Sequence, residues 1–328
     1  MDQSARASDF NETELIARFS THLSSTEEVV LGPGDDAAIV RAVDGNVVVS
    51  TDVLVENQHF HREWIAAEAL GHRSIAQNVA DIAAMGARPT AVVVALVLPA
   101  DVLVEWIDDL ARGMGDACRA AGASVVGGDL SAGERISISV TVLGSLDGAR
   151  AVLRSGARAG DVVALAGNCG WSAAGYAVLE TAQENEDAIP AHMRKFVDRH
   201  FVPEPPLAAG IVANKAGATA MLDVSDGVVR DAERIAHASG VTINIDGTVV
   251  RHLARPLAAA GQYTGYEPEN WVLGGGEDHG MLATFPASVV LPPGFVAIGR
   301  VEAPGQELVL VDEAIPTEDV GWDHFETE

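Results

Sequence analysis

Hydrophobic and polar positions change period several times along the chain, and each change marks an element. Residues 12–23 place apolar side chains at helical spacing, which predicts a short amphipathic helix. Residues 47–50 read as a β-rich run ending in Thr51-Asp52. Residues 64–85 predict a long helix stopped by Gly86 and Pro89, and 91–98 an unbroken apolar strand. A helix follows, capped by Asp101 and ending near Ala121, then strands at 124–126 and 136–143. Between 149 and 160 the pattern dissolves into a Gly- and Arg-rich stretch, which predicts a domain boundary: 1–149 and 150–328. Beyond it the chain predicts strands at 161–166, 219–222, 241–245 and 281–285, with two more short strands in the tail. Helices are predicted at 171–182, after Pro203-Glu-Pro-Pro206, and up to Ser239. Strands and helices mix without a strict βαβ rhythm, so the expected class is α+β.

A chain of 328 residues, 48% hydrophobic and 21% charged, is that of a globular protein. With 21 Lys and Arg against 47 Asp and Glu, the formal net charge is −26. That field disfavours nucleic acid and anionic membrane as partners. No apolar stretch is long enough to span a bilayer, and the N-terminus lacks the apolar core of a signal peptide. The two cysteines, Cys118 and Cys169, form no metal spacing or disulfide framework and suit a reducing cytoplasm.

The acidic excess gains meaning from where some carboxylates fall. Gly34-Asp-Asp36, Ser50-Thr-Asp52, Gly127-Gly-Asp129, Asp223-Val-Ser-Asp226 and Gly276-Glu-Asp278 repeat one design: a strand or Gly-rich segment, one or two acids, a small residue. Any one of these is a common turn or cap. Five of them predict carboxylates converging into a hard-oxygen site of the kind that takes Mg²⁺ and substrate phosphates. Asp81 stands inside an otherwise apolar helical run, with Asn78 three residues earlier on the same face. An unpaired charge there would cost several kcal/mol, so Asp81 is either on a wet stripe or a ligand aimed into a cleft. The P-loop, dinucleotide-fingerprint, Gly-x-Ser-x-Gly and His-Glu-x-x-His motifs are missing from the chain.

Together these segments resemble the thiamine-monophosphate kinase family, within the superfamily that includes aminoimidazole ribonucleotide synthetase. The resemblance rests on Gly32-Pro-Gly-Asp-Asp-Ala-Ala38, Ser50-Thr-Asp-Val-Leu-Val55 with His59-Phe60, Asn78-Val-Ala-Asp-Ile-Ala-Ala-Met-Gly86, Gly127-Gly-Asp129, Leu222-Asp-Val-Ser-Asp-Gly227, Gly275-Gly-Glu-Asp278 and Gly321-Trp-Asp-His-Phe325. It implies ATP-dependent phosphorylation of thiamine monophosphate to thiamine diphosphate, with several Mg²⁺ ions. It also implies a homodimer formed through the N-terminal sheet as a barrel, and a C-terminal α/β domain that closes the active-site cleft. Carried over by position, Asp36, Thr51, Asp52, Asp81, Asp129 and Asp223 would hold metal, with Ser50 and Asp226 in the same set. Asp81 and Asp226 are the expected catalytic carboxylates. Gly128, Asp129, Arg154 and Ser225 would contact ATP, and His59, Glu277 and Trp322 the substrate.

Two segments depart from the family pattern. The segment before His59 reads Glu56-Asn57-Gln58, where a glycine is frequent, and His279-Gly280-Met281 replaces the usual Tyr-Glu-Leu. Other superfamily enzymes and a non-catalytic metal- or nucleotide-binding module are the competing expectations.

Overall fold

The structure, a computed structural model, describes residues 5–31, 38–182 and 188–316. The chain divides into two units, Met1–Ile82 with Ala87–Ala149 and Ala83–Gly86 with Arg150–Glu328.

In the first unit, α1 (Glu12–Ser20) opens on a capping box. Asn11 accepts from the Glu14 N–H, and the Glu14 carboxylate accepts from the Asn11 N–H. A short ribbon of β1 (Val29–Leu31) and β2 (Ile39–Val40) precedes β3 (Val48–Val55). Then come α2 (Ala67–Ala84), β4 (Arg88–Leu98), α3 (Val104–Ala121), β5 (Ser124–Ala132) and β6 (Ser137–Ser145). The four longer strands form one sheet in the order β3-β6-β4-β5, antiparallel except for the β4–β5 pair. One face buries Leu54, Val92, Val94, Leu96, Ile138, Val140 and Val142. The opposite face presents Val49 and Val53 exposed, beside Thr51, Ser139 and Thr141.

Two local expectations change here. Asp101 does not cap α3: the helix starts at Val104, and Leu103 at its N-cap offers no side-chain acceptor. Asp101 instead gives its carbonyl to Arg6 Nη1 at 2.7 Å. The strand expected to stop at Val126 runs on through Gly127-Gly-Asp129 to Ala132, because β4 is long enough to pair with all of it. That pairing needs glycine, since a Cβ at Gly128 would lie 1.9 Å from the Val94 carbonyl oxygen.

The second unit contains β7 (Val162–Ala166), α4 (Trp171–Thr181), α5 (Arg194–Phe201), α6 (Leu207–Ala216), β8 (Ala220–Val224) and α7 (Val228–Ser239). It continues with β9 (Thr242–Ile245), α8 (Gly247–Ala254), α9 (Ala258–Thr264), α10 (Pro268–Gly274), β10 (Gly280–Phe285), β11 (Phe295–Glu302) and β12 (Val309–Val311). The strands form a six-stranded mixed sheet, β12-β9-β11-β7-β10-β8. Strands β8 and β10 are buried along their whole length. Their antiparallel register sets Asp223 opposite Met281 and Val224 opposite Gly280. Two acidic motifs more than fifty residues apart are thereby brought to one end of the sheet. Both units are α+β, with helices and strands mixed in neither a pure sandwich nor a doubly wound order.

Candidate active site

In the first unit the predicted ligands gather where β3 meets α2. Ser50 and Asp52 are two residues apart on β3 and therefore share a face. Gln77 and Asp81 are four apart on α2 and also share a face. The two spacings are similar, about 6.7 Å along a strand and about 6 Å along a helix. The elements run in opposite senses, so the residues pair as two rungs. Ser50 Oγ donates to Asp81 Oδ2 at 2.6 Å, and Gln77 Nε2 donates to Asp52 Oδ2 at 2.7 Å. The other Asp52 oxygen accepts from the Val53 N–H at 2.7 Å. The donors on these rungs are neutral.

Thr51 lies on the other face of β3, where its hydroxyl meets Thr141 Oγ1 at 3.0 Å. Asp129 is exposed and falls in the cross-strand row of Ala95, Ser139 and Val53, on the Thr51 side, and accepts from Ser131 Oγ at 2.9 Å. Gly128 is in the row of Val94, one position earlier. The structure thus joins Ser50 to Asp81, holds Asp52 on the next rung through Gln77, and sets Thr51 and Asp129 on the opposite face of the sheet.

His59 follows a tight turn after β3. Its Nδ1 accepts from the Val55 N–H at 2.9 Å, which fixes the neutral imidazole with its proton on Nε2. Asn57, inside the segment where a glycine is frequent, has φ 63°. Asparagine is among the few side chains that tolerate this left-handed conformation, so the turn forms here without a glycine.

In the second unit, the segment 274–279 packs on the loop after β8. The Glu277 N–H donates to the Ser225 carbonyl at 2.9 Å and the His279 N–H to the Val224 carbonyl at 3.0 Å. A Cβ at Gly276 would lie 2.3 Å from the Ser225 oxygen, so this contact requires glycine. Glu277 and His279 both have positive φ, 65° and 54°. Asp223 is buried beside His279, with Nδ1 and Oδ2 3.1 Å apart. Asp226 forms an ion pair with Arg234, which also pairs with Asp231. Asp231 is completely buried, and burial pushes its carboxyl up to about 6 despite the Asp226 N–H and Arg234. Asp278 accepts from the Trp171 and Ser172 N–H groups at the start of α4 (2.9 and 3.1 Å). Burial nonetheless raises it to about 6. Arg154 is exposed, and its carbonyl accepts from Ser239 Oγ at 3.1 Å. Asp36 and Trp322 lie outside the described residues.

Sequence reasoning missed Gln77, Asp231 and Arg234. The Asp231–Arg234 pair, three apart on α7, was a local signal that could have found the last two. A further acidic group, Glu68, His72 and Asp116, brings three potential ligand atoms within 4.8 Å of one another. Arg112 and Arg119 already engage its carboxylates.

The donor set suits a hydrated hard cation. Ser50, Asp52 and Asp81 supply oxygen only. Beside them, Gln77 Oε1 and Asn78 Oδ1 are buried acceptors with no hydrogen-bond partner among the described residues. Models of the AIR synthase related proteins match residues 34–146 with their N-terminal domain and residues 158–313 with their C-terminal domain. The thiamine-monophosphate kinase of Mycobacterium tuberculosis is 43% identical over 323 residues, which is 98% of this chain and 94% of that one. That of Corynebacterium glutamicum is 40% identical over 97% of this chain and 94% of its own. A solved structure of AaThiL complexed with AMPPCP and TMP superposes with a TM-score of 0.78, at 33% identity, covering 95% of this chain and 96% of that one. The chain belongs to the thiamine-monophosphate kinase family of phosphotransferase enzymes, within the AIR synthase related proteins.

Proposed function

We infer that this protein transfers the γ-phosphoryl group of ATP directly and in line to the phosphate of thiamine monophosphate, giving thiamine diphosphate and ADP. The observation that carries the reading is the pair of carboxylates Asp52 and Asp81, held by neutral donors on one face of the β3–α2 contact. It is found in a chain 43% identical to a thiamine-monophosphate kinase. Such carboxylates supply hard oxygen ligands, and joining two phosphates brings together negative charge that a cation would reduce.

Mg²⁺ ions, held by Asp36, Ser50, Thr51, Asp52, Asp81, Asp129, Asp223 and Asp226, would neutralise that charge when bound. The remaining work falls to the chain. Ser50 and Gln77 fix the orientation of Asp81 and Asp52, so their oxygens need no reorganisation during transfer. His59, with its proton on Nε2, is a neutral donor to the substrate. Glu277 and Trp322 would complete the substrate site, and Trp322 would offer its aromatic face to the thiazolium cation. Gly128, Asp129, Arg154 and Ser225 would hold ATP. The acceptor phosphate is already largely deprotonated near neutral pH, so no side chain has to serve as general base.

The N-terminal unit would carry the metal and nucleotide work and dimerisation, and the C-terminal unit the loop of Asp223, Ser225 and Asp226. A second copy is the partner that suits the first sheet's outer face, where Val49 (60% exposed) and Val53 alternate with hydroxyls. Buried free thiols, with Cys118 pushed up to about 12 by desolvation, fit a reducing cytoplasm. Among the described residues no helix is long and apolar enough to cross a membrane.

The test is to incubate the protein with thiamine monophosphate and ATP labelled in its γ-phosphate, and to separate the products by chromatography. Label in thiamine diphosphate supports the reading. Label released only as inorganic phosphate would refute the acceptor.

A further inference from the structure

Gln77 is 6% exposed, sits on the buried side of α2, and belongs to none of the motifs that carry the family resemblance. Its amide is divided in an unusual way. The Nε2 end donates to Asp52 Oδ2 at 2.7 Å. The Oε1 end is buried and has no hydrogen-bond partner among the described residues. Flipping the amide does not remove the problem, because an ionised carboxylate only accepts and the nitrogen must face it. A buried acceptor without a donor is rare, and strain, a catalytic role, or a bound ion or water can account for one.

The neighbourhood says which. Gln77 is one turn before Asp81 on the same face of α2, and Asp52 and Asp81 are the two carboxylates of the β3–α2 contact. An apolar side chain of similar length at position 77 would fill the space without orphaning an oxygen. The amide does two things that such a residue cannot: it fixes one oxygen of Asp52 and leaves a hard acceptor beside it.

We propose that Gln77 is a positioning residue of the cation site. Its Nε2 orients Asp52, and its Oε1 accepts from the hydration shell of the divalent cation that Asp52 and Asp81 hold. This deepens the proposed function and rests on its metal reading, but not on the identity of the phosphate acceptor. Partners that orient a metal's ligands typically contribute ten- to a hundredfold in affinity.

The test uses the full chain with Mn²⁺ as the probe, read by electron paramagnetic resonance with and without a non-hydrolysable ATP analogue. Gln77→Leu should weaken Mn²⁺ binding by about tenfold or more. Its melting temperature in EDTA should be unchanged or higher, since the orphaned oxygen is gone. Gln77→Glu is the informative companion. It sets a second carboxylate against Asp52, so it should melt lower in EDTA, gain more than wild type on adding Mn²⁺, and bind the ion at least as tightly. A role in packing alone would lower the melting of both variants alike and leave Mn²⁺ affinity unmoved. An affinity for Gln77→Leu within twofold of wild type overturns the proposal, as does a Gln77→Glu variant that binds as weakly as Gln77→Leu. So does wild type that binds no Mn²⁺ under either condition. Turnover measured on the same preparations separates the two readings. The expected Mn²⁺ pattern without thiamine diphosphate formation sinks the acceptor and keeps Gln77. Product formation with unchanged Mn²⁺ binding in Gln77→Leu does the reverse.

Discussion

The two units hold their aspartates differently. At the β3–α2 contact Asp52 and Asp81 take hydrogen bonds from Gln77 and Ser50, which are neutral. At the end of β8 the chain brings its own positive charge and dipoles. Arg234 pairs with both Asp226 and Asp231, His279 lies against Asp223, and Asp278 takes two backbone N–H groups at the start of α4. Neutral donors orient a carboxylate without cancelling its charge. An arginine cancels it. The same residue type is thus held in two ways, by hydroxyl and amide donors on a strand and a helix in the first unit and by arginine and backbone N–H groups around the β8 loop in the second. In the proposed function both groups serve the same Mg²⁺ set, Asp52 and Asp81 from a scaffold of neutral donors and Asp223 and Asp226 from a loop braced by His279 and Arg234.

The sharpest way to break this contrast is Asp81→Asn. Turnover should fall roughly a thousandfold, the scale of several kcal/mol of lost charge stabilisation, while the melting temperature barely moves. Near-normal turnover would place Asp81 in the structural class. The mirror experiment is Arg234→Leu. It strands Asp231, which is fully buried, and should cost about 3 kcal/mol in urea denaturation. A loss that Mg²⁺ fully reverses would mean that a cation can replace Arg234 as the partner of these acids.

A smaller effect concerns pH. The Asp278 carboxyl, at about 6 in the fold against an ordinary 3.8, binds its proton more tightly folded than unfolded. The stability this contributes is complete below about pH 4 and is lost as pH rises through about 6. Asp278→Asn should flatten that part of the stability curve by about 3 kcal/mol. An unchanged slope would mean that other groups govern it. Smallest of all, Trp322→Ala should weaken thiamine monophosphate binding by about tenfold, near 1.4 kcal/mol, and ATP binding by much less. Equal losses would remove Trp322 from the substrate face.

Much of the contrast's raw material could be read from residues alone. Asp81 stood out because a charge inside an apolar helical run needs a reason, and the acidic turns stood out by repetition. What pairs with each acid was mostly invisible. Gln77 reaches Asp52 only because β3 packs antiparallel against α2, a contact 25 residues apart in sequence. Likewise the meeting of Asp223 with His279 depends on β8–β10 register, across 56 residues. The short helices α5, α8, α9 and α10, of seven or eight residues, went unpredicted because they carry too few turns to establish a period. An acid near a helix start reads as its cap, which sets the expected α3 boundary at Asp101, whereas the backbone turns helical three residues later.

Bound Mg²⁺, held by the aspartates, is what we propose enables phosphate-to-phosphate transfer. The most direct measurement is a ³¹P NMR time course of the protein with ATP and thiamine monophosphate, run with Mg²⁺ and again with EDTA. The account predicts thiamine diphosphate growing in step with ADP in the first run and neither in the second. ADP and inorganic phosphate without thiamine diphosphate, or equal product in EDTA, would contradict it.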